Sequence, residues 1–260
     1  LAGPAVRGDN PTTERFRRAG YRYLYGEAGT LTWARCESPP ADSCLSVAGG
    51  ASSTDELTRN LVESTPLAML GLGDYRYSDL SALADELEDE RGNGVPVFAF
   101  VHVMAPHWPY RYDDACGPRP RAIVGNDLAQ RERIEHYVND LRCLNADALA
   151  FVDAVVAGDP DAVVLVQSDH GSAFGVDVAR PADEWTAEML DERLAVLSAI
   201  RLPSSCAGDD RYPVEGLALV NTFNVVLACL EGRDPVLVPE EVFLSSFDDI
   251  TDVVDVRELR

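Results

Sequence analysis

The sequence predicts an α/β layered fold built on a largely parallel sheet. Two continuous apolar runs of strand length carry the first half of that reading, 97–104 (VFAFVHVM) and 162–167 (AVVLVQ). Runs without polar alternation are the pattern of strands covered on both faces. The stretch between them carries the second half. Over about 127–157, Ile134, Val138, Leu141, Ala148, Val152 and Val155 recur at helical spacing on one stripe. Buried strands joined by long helical crossovers lie parallel, with helices over the sheet, and the two runs are expected to share that sheet. No internal repeat, low-complexity tract or linker interrupts the 260 residues, so 1–260 is read as a single domain.

The remaining elements follow in chain order. Residues 1–10 hold Gly, Pro, Asp and Asn and read as an irregular lead-in. Thr12 or Thr13 is expected to cap a short helix through Ala19, ended by Gly20. Tyr21 to Tyr25 reads as an aromatic strand, and 36–51 as a loop. Ser53 or Thr54 is expected to cap a helix to about Ser64, stopped before Pro66. Residues 79–91 (DLSALADELEDER) place Leu80, Leu83 and Leu87 on one helical face and acids on the other. A loop rich in Pro, Asp and aromatics is expected from Ala105 to about Gly125, and Gly158, Asp159 and Pro160 end the long helix. Residues 183–192 read as helical, Leu194 to Leu202 as extended up to Pro203, and Asn221 to Glu231 as a helix stopped at Gly232. The tail after Pro239 is read as one more helix.

Composition narrows the partners. Acidic residues number 44 against 22 basic ones, the formal net charge is −22, and every basic residue is arginine. Neutralising phosphate needs a cationic surface, so nucleic acid is excluded as a partner and anionic lipid is disfavoured. Without lysine there is no P-loop lysine and no Schiff-base lysine. No stretch approaches the roughly 20 apolar residues of a membrane span, and no signal peptide opens the chain. The first residue is Leu1, so any signal or anchor is expected upstream of it. The six cysteines fall into three sequence-local groups, Cys36 with Cys44, Cys116 with Cys143, and Cys206 with Cys229. Three disulfides in an oxidising compartment are the favoured reading, with the pairing itself left open. The alternative is a set of small buried hydrophobes, a role open to Cys143 and Cys229.

In open α/β sheets ligands bind beyond the carboxyl ends of the strands. Three of the four histidines lie at the ends of the two apolar runs: His102 and His107 in HVMAPHWPYRYDDACG, and His170 in Ser168-Asp169-His170-Gly171. Asp169 and His170 offer an oxygen and an imidazole donor to a divalent cation, with Gly171 expected to allow a sharp turn. The pattern fits equally a turn-capping aspartate beside an ordinary half-buried histidine. His107, between prolines and aromatics, is placed to bind a substrate anion or act as a general acid; packing in a rigid loop is its plainer alternative. Arg111 fits an oxyanion clamp, against the base case of a surface arginine. His102 reads as a mid-strand core histidine and His136 as solvated on the long helix.

At these residues the sequence resembles the sulfatase / alkaline-phosphatase superfamily, and most its sulfatase-like and phosphoglycerol-transferase-like branch. FRRAGYRYLYGEAG (16–29) is similar to the family's helix-GY-strand unit. FVHVMAPHWPYRYD (100–113) resembles its strand ending in a Pro-His-x-Pro-Tyr loop, and YVNDLRCLNADALAFVDAVV (137–156) its long helix. VVLVQSDHGS (163–172) is similar to the metal-binding strand and its Asp-His-Gly turn, while ERLAVLSAIRLP and VNTFNVVLACLEG look like the later edge strand and helix. The resemblance implies a three-layer α/β/α sandwich of alkaline-phosphatase type. It implies Asp169 and His170 as metal ligands, His107 at the ester's oxygens, and a divalent metal such as Mn, Mg, Ca or Zn.

The implied activity is metal-dependent hydrolysis or transfer at a phosphate or sulfate ester, on a small-molecule, glycan-linked or lipid-linked substrate. The implied location is extracytoplasmic, with a membrane-anchored parent. Family arylsulfatases set lysines around the sulfate, so a lysine-free chain points toward the phosphoryl-ester or transferase side. The family nucleophile, a Ser, Thr or modified Cys, lies on a strand-to-helix segment ahead of the GY unit. Only twenty residues precede Tyr21, none forming a buried strand, and Asp9, Thr12 and Thr13 stand in the wrong context. No nucleophile is therefore assigned. The chain is expected to be an N-terminally shortened form of such an enzyme, inactive alone. The alternative is a non-catalytic extracellular binding domain of the same fold.

Overall fold

Asn10 organises the start of the chain. In the computed structural model, which describes residues 2–27, 41–46, 65, 80–123, 128–246, 248–251 and 253–256, helix α1 (Ala2–Val6) takes the place of the expected lead-in. Asn10 then caps α2 (Pro11–Arg18). Its side-chain oxygen accepts the Thr13 N–H at 2.9 Å and its amide donates to the Ala5 carbonyl at 2.7 Å. Pro11 fills the first helical position, where no N–H is needed. The expected threonine cap is thus corrected: Thr13 lies inside the first turn and is buried. The stop at Gly20 holds. Its φ is +90°; its N–H reaches the Arg17 carbonyl at 2.9 Å and the Tyr21 N–H reaches that of Phe16 at 3.1 Å. That pair of bonds satisfies carbonyls the helix end would otherwise leave bare.

The chain divides into two compact units, Leu1–Gly158 and Asp159–Arg260. In the first, β1 (Arg22–Glu27) is the middle strand of a parallel sheet between β2 (Ser43–Ser46) and β3 (Val97–Val101). Register runs Arg22↔Val97 to Gly26↔Val101 on one side and Leu24↔Ser43 to Glu27↔Ser46 on the other. Side chains alternate across a strand, so Tyr23, Tyr25, Phe98 and Phe100 share one face, and Leu24, Val97, Ala99 and Val101 the other. Helix α2 covers the aromatic face, with Phe16 stacked on Phe98 at 4.3 Å between ring centroids. Helices α3 (Leu80–Gly92) and α4 (Gln130–Gly158) cover the aliphatic face through Leu80, Leu83, Ala148 and Phe151. Burying a leucine fully contributes about 1.5–3 kcal/mol, and Leu24 and Leu83 are each 1% exposed. Helix, sheet and helix therefore form the three layers expected.

Several local expectations change. Strand β3 ends at Val101, and Phe100 is 39% exposed, so the run 97–104 is shorter and less covered than its composition implied. The expected stripe of α4 holds in its later turns, where Ala148 packs on the core and Leu141, Val152 and Val155 are partly buried, and fails at its start. Asp140 and Cys143 are its buried residues, while Ile134 and Val138 are exposed. The segment expected to be a loop contains a hairpin, β4 (Tyr110–Tyr112) against β5 (Pro118–Ile123). The helix expected near 53–64 and Cys36 lie outside the described residues.

In the second unit β6 (Val164–Gln167) pairs antiparallel with β7 (Ser198–Arg201), Val164↔Arg201 through Gln167↔Ser198. Among the described residues β3 pairs with β1 and β6 with β7, which corrects the expectation that the two apolar runs are joined in one sheet. Helix α5 (Ala187–Leu194) starts at Thr186, and α6 (Thr222–Glu231) stops at Gly232. The tail forms a hairpin, β8 (Phe243–Ser245) against β9 (Val253–Asp255), where a helix was expected. Leu244 packs inward with Trp185, Leu190 and Val256, a one-sided burial that suits alternation rather than helical spacing.

The cysteines pair locally. Cys116–Cys143 ties the β4–β5 turn to α4, and Cys206–Cys229 ties the loop after β7 to α6. Cys44 is disulfide-bonded as well. Closing loops of 27 and 23 residues stabilises the fold by about 3.5 kcal/mol each on chain-entropy grounds. Among the described residues no helix is long and apolar enough to cross a membrane.

Candidate functional site

The turn after β6 is held by the end of α5. The Ser168 N–H donates to the Leu197 carbonyl at 3.0 Å, and Ser168 Oγ accepts the Leu197 N–H at 2.8 Å, closing the β6–β7 ladder. The Gly171 N–H then donates to the Arg193 carbonyl at 2.7 Å. A Cβ on Gly171 would collide with the Glu192 carbonyl and press on those of Arg193 and Ala195. The φ of Gly171 lies outside the left-handed region. Glycine is required here for close approach rather than for a left-handed φ. Glu192 takes the next groups: Ser172 Oγ at 2.5 Å, the Phe174 N–H at 2.6 Å and the Gly175 N–H at 2.9 Å. Burial pushes the Glu192 carboxyl up, but these donors outweigh it and hold it below the usual glutamate range.

With the backbone pinned on either side, Asp169 and His170 project at the strand end. Asp169 Oδ2 and His170 Nε2 lie 3.6 Å apart, with side chains 83% and 43% exposed. The opposite edge of the imidazole is occupied. His170 Nδ1 is 2.8 Å from an Arg193 guanidinium nitrogen and 2.8 Å from the Gly171 carbonyl oxygen. The same guanidinium nitrogen donates to the Gly171 oxygen at 3.2 Å. Burial pulls the Arg193 pKa down and the Asp169 charge opposes it. An accessible carboxylate oxygen and imidazole nitrogen at this separation suit a divalent cation as two of its ligands. Among the described residues no group of three or more His, Cys, Asp or Glu side chains is placed to hold a metal ion together.

The loop after β3 belongs to the first unit. The His102 N–H reaches the Gly26 carbonyl at 3.3 Å, so His102 sits just past the strand and not within it. His107 is exposed on a turn closed by its own N–H to the Met104 carbonyl at 2.8 Å. Its Nδ1 lies 2.5 Å from the Trp108 carbonyl oxygen, an acceptor, so Nδ1 carries the hydrogen and the lone pair is on Nε2. Arg111 departs from the surface-arginine expectation: it is 3% exposed.

Asp140 on α4 holds that segment. Its carboxylate accepts the backbone N–H groups of Arg111 at 2.9 Å and Tyr112 at 3.2 Å. Asn139 donates to the carbonyls of Tyr112 and Asp113, both at 3.0 Å, and Arg142 to that of Asp114 at 2.7 Å. One turn of α4 therefore grips 111–116, and Cys116–Cys143 staples it. Burial pushes the Asp140 carboxyl up, opposed by the two N–H groups and the charges of Arg119 and His136. His136 is partly buried and its ring stacks on Tyr110 at 5.7 Å, where a solvated histidine was expected.

Asp169 and His170 are thus brought together at one strand end of the second unit; His107 and Arg111 stand in the first, one exposed and one buried. Sequence reasoning passed over Arg193, Glu192 and Asp140. Glu192 and Arg193 stand where the expected helix 183–192 gives way to the extended stretch from Leu194, and neither was singled out. Asp140 had a signal, since it lies three residues before Cys143 on the same helical face.

A parallel three-strand sheet layered by helices is an α/β arrangement of the alkaline-phosphatase-like class. The sulfatase family model matches residues 13–195. The chain belongs to the sulfatase family. The match takes in β1, β3, the His107 loop, α4, the Asp169–Gly171 turn and all of α5. No curated protein and no solved structure gave a match. Family membership places the chain among sulfatase-like hydrolases and transferases.

Proposed function

We propose that this chain carries metal-binding and anion-binding parts of a sulfatase-like hydrolase or transferase that acts on a phosphate or sulfate ester. The observation that carries the reading is the Asp169–His170 pair, two cation-type donors 3.6 Å apart at the end of β6 within the family-matched stretch. The family match, 13–195, runs through the boundary at Gly158, which supports reading the parts of the two compact units that it covers as one functional domain.

Asp169 and His170 would hold a divalent metal. When bound, that metal polarises the ester's phosphorus or sulfur centre and stabilises developing negative charge. The rest falls to side chains. The His107 ring is exposed and held by its Nδ1–H to the Trp108 carbonyl. With Nε2 protonated as well, the imidazolium donates to an ester oxygen or delivers that proton to the leaving oxygen. Arg111 supplies positive charge from a buried position, where charge is less screened. In a chain at −22, attraction for an anionic ester must come from such local groups. The absence of lysine favours a phosphoryl ester over an aryl sulfate. The disulfides Cys116–Cys143 and Cys206–Cys229 support an extracytoplasmic location.

The test is calorimetric titration of Mn²⁺ and Zn²⁺ into the wild-type chain and Asp169→Ala. Binding by the first and loss of most of it in the second is expected. Equal behaviour of the two proteins defeats the reading.

A further inference from the structure

The two contacts at His170 Nδ1 cannot both be hydrogen bonds at once. A guanidinium only donates, so the Arg193 contact at 2.8 Å needs a lone pair on Nδ1. A carbonyl only accepts, so the Gly171 contact at 2.8 Å needs a hydrogen on Nδ1. A neutral imidazole has one N–H. If Arg193 takes Nδ1, the hydrogen sits on Nε2, facing Asp169 Oδ2 at 3.6 Å. If Gly171 takes Nδ1, the Nε2 lone pair is open toward the same carboxylate.

Only the second arrangement can ligate a cation through Nε2. It also matches the usual support of a ligating histidine, whose other N–H donates to a backbone carbonyl or a carboxylate. Arg193 has an alternative partner within reach, since the same nitrogen already lies 3.2 Å from the Gly171 oxygen. A carbonyl oxygen accepts two hydrogen bonds, so Gly171 can serve Arg193 and His170 together.

We propose that Arg193 is a positioning residue that sets the tautomer of His170. In its donating position it fixes the hydrogen on Nε2 and opposes cation binding. Ligation through Nε2 obliges it to give up Nδ1 and retain only the Gly171 carbonyl. No bond is made or broken in Arg193. The imidazole hydrogen leaves Nε2 for Nδ1 by exchange with solvent, which the 43% exposure of the ring permits. The position beside α5 suits this role, because the Arg193 backbone is anchored by the Gly171 N–H while its side chain chooses between two neighbouring acceptors. The inference rests on the reading of Asp169 and His170 as metal ligands.

The test uses the full chain with Zn²⁺ as the probe. Nitrogen-15 NMR of the histidine rings in the wild type without metal is expected to show His170 with its hydrogen on Nε2, moving to Nδ1 on adding Zn²⁺. Arg193→Met keeps the aliphatic stem and removes every donor. It is expected to carry the hydrogen on Nδ1 before any metal is added, and to bind Zn²⁺ about tenfold tighter, the order of a hydrogen bond to a charged group. A wild-type ring already protonated at Nδ1 overturns the inference without recourse to any variant. So does Zn²⁺ affinity in Arg193→Met that is equal to or weaker than wild type while Asp169→Ala still abolishes binding; the metal reading then survives alone. Zn²⁺ binding indifferent to both substitutions overturns the metal reading, and the inference with it.

Discussion

The Glu192 carbonyl fills the space that a side chain on Gly171 would need, and the Gly171 N–H is held by the next carbonyl, that of Arg193. The two backbones touch where the Asp-His-Gly turn crosses the end of α5. Gly171→Ala must push these segments apart. Overpacking of this kind costs roughly 1–3 kcal/mol, and the shift reaches Asp169 and His170 directly. Urea denaturation is expected to show that loss together with weaker Zn²⁺ binding. A variant as stable as wild type would show that the contact is slack.

Glu192 ties its loop through both carboxylate oxygens, and its acidity gives the tie a pH signature. Its folded pKa lies below the ordinary value. The stabilisation is therefore complete above the unfolded carboxylate range, about 4.3, and is lost as pH falls through the lower folded value. Glu192→Gln removes one protonation step from that acid limb. Stability measured from pH 7 to 3 should fall less steeply in the variant; parallel curves would count against the assignment.

Asp140 satisfies two buried N–H groups on a strand that follows the His107 loop. Asp140→Ala leaves the N–H groups of Arg111 and Tyr112 without their acceptor, at about 1–3 kcal/mol each. A total loss of about 3 kcal/mol is expected. Hydrogen exchange should quicken at Arg111 and Tyr112 while the β1–β3 amides keep their protection. Unchanged exchange at those two amides would mean that another group holds the strand.

The Cys206–Cys229 bridge closes 23 residues of the second unit. Replacing both cysteines by alanine is expected to lower stability by about 3 kcal/mol, read as a drop in Tm without loss of secondary structure at 20 °C. A Tm equal to wild type would mean that the core around Val225 and Val226 suffices without it.

What could be read from the sequence, and what could not, divides along physical lines. The helix ending at Gly20, the strand before it in space at 97, the long helix and the stop at Gly232 were legible because apolar period and glycine placement are local signals. The Asn10 cap was masked by the adjacent threonines, which are equally good caps by type. Only the first turns of the α4 stripe were misplaced, because Asp140 is buried there for its hydrogen bonds, which no hydrophobicity pattern records. The tail was misread because a hairpin with one buried face and acidic turns resembles a short amphipathic helix in composition. In the candidate site, the places of Asp169 and His170 just past β6 and of His107 in the loop after β3 were legible from the apolar runs. Arg193 was not, because its nearness to His170 arises from the β6–β7 pairing and the course of α5, more than twenty residues away in sequence.

The two disulfides also govern how the chain comes apart when it is cut. Trypsin can act only at arginines here. A cut after Arg131, whose side chain is 91% exposed, falls inside the loop closed by Cys116–Cys143. A cut after Arg211 falls inside the one closed by Cys206–Cys229. Neither cut can release a fragment until thiol is added. From 143 to 179 there is no arginine at all. The boundary at Gly158 and the Asp169–His170 turn therefore leave a digest on one uninterrupted peptide. Nicked protein should migrate as a full-length species on a non-reducing gel and separate into pieces only on reduction.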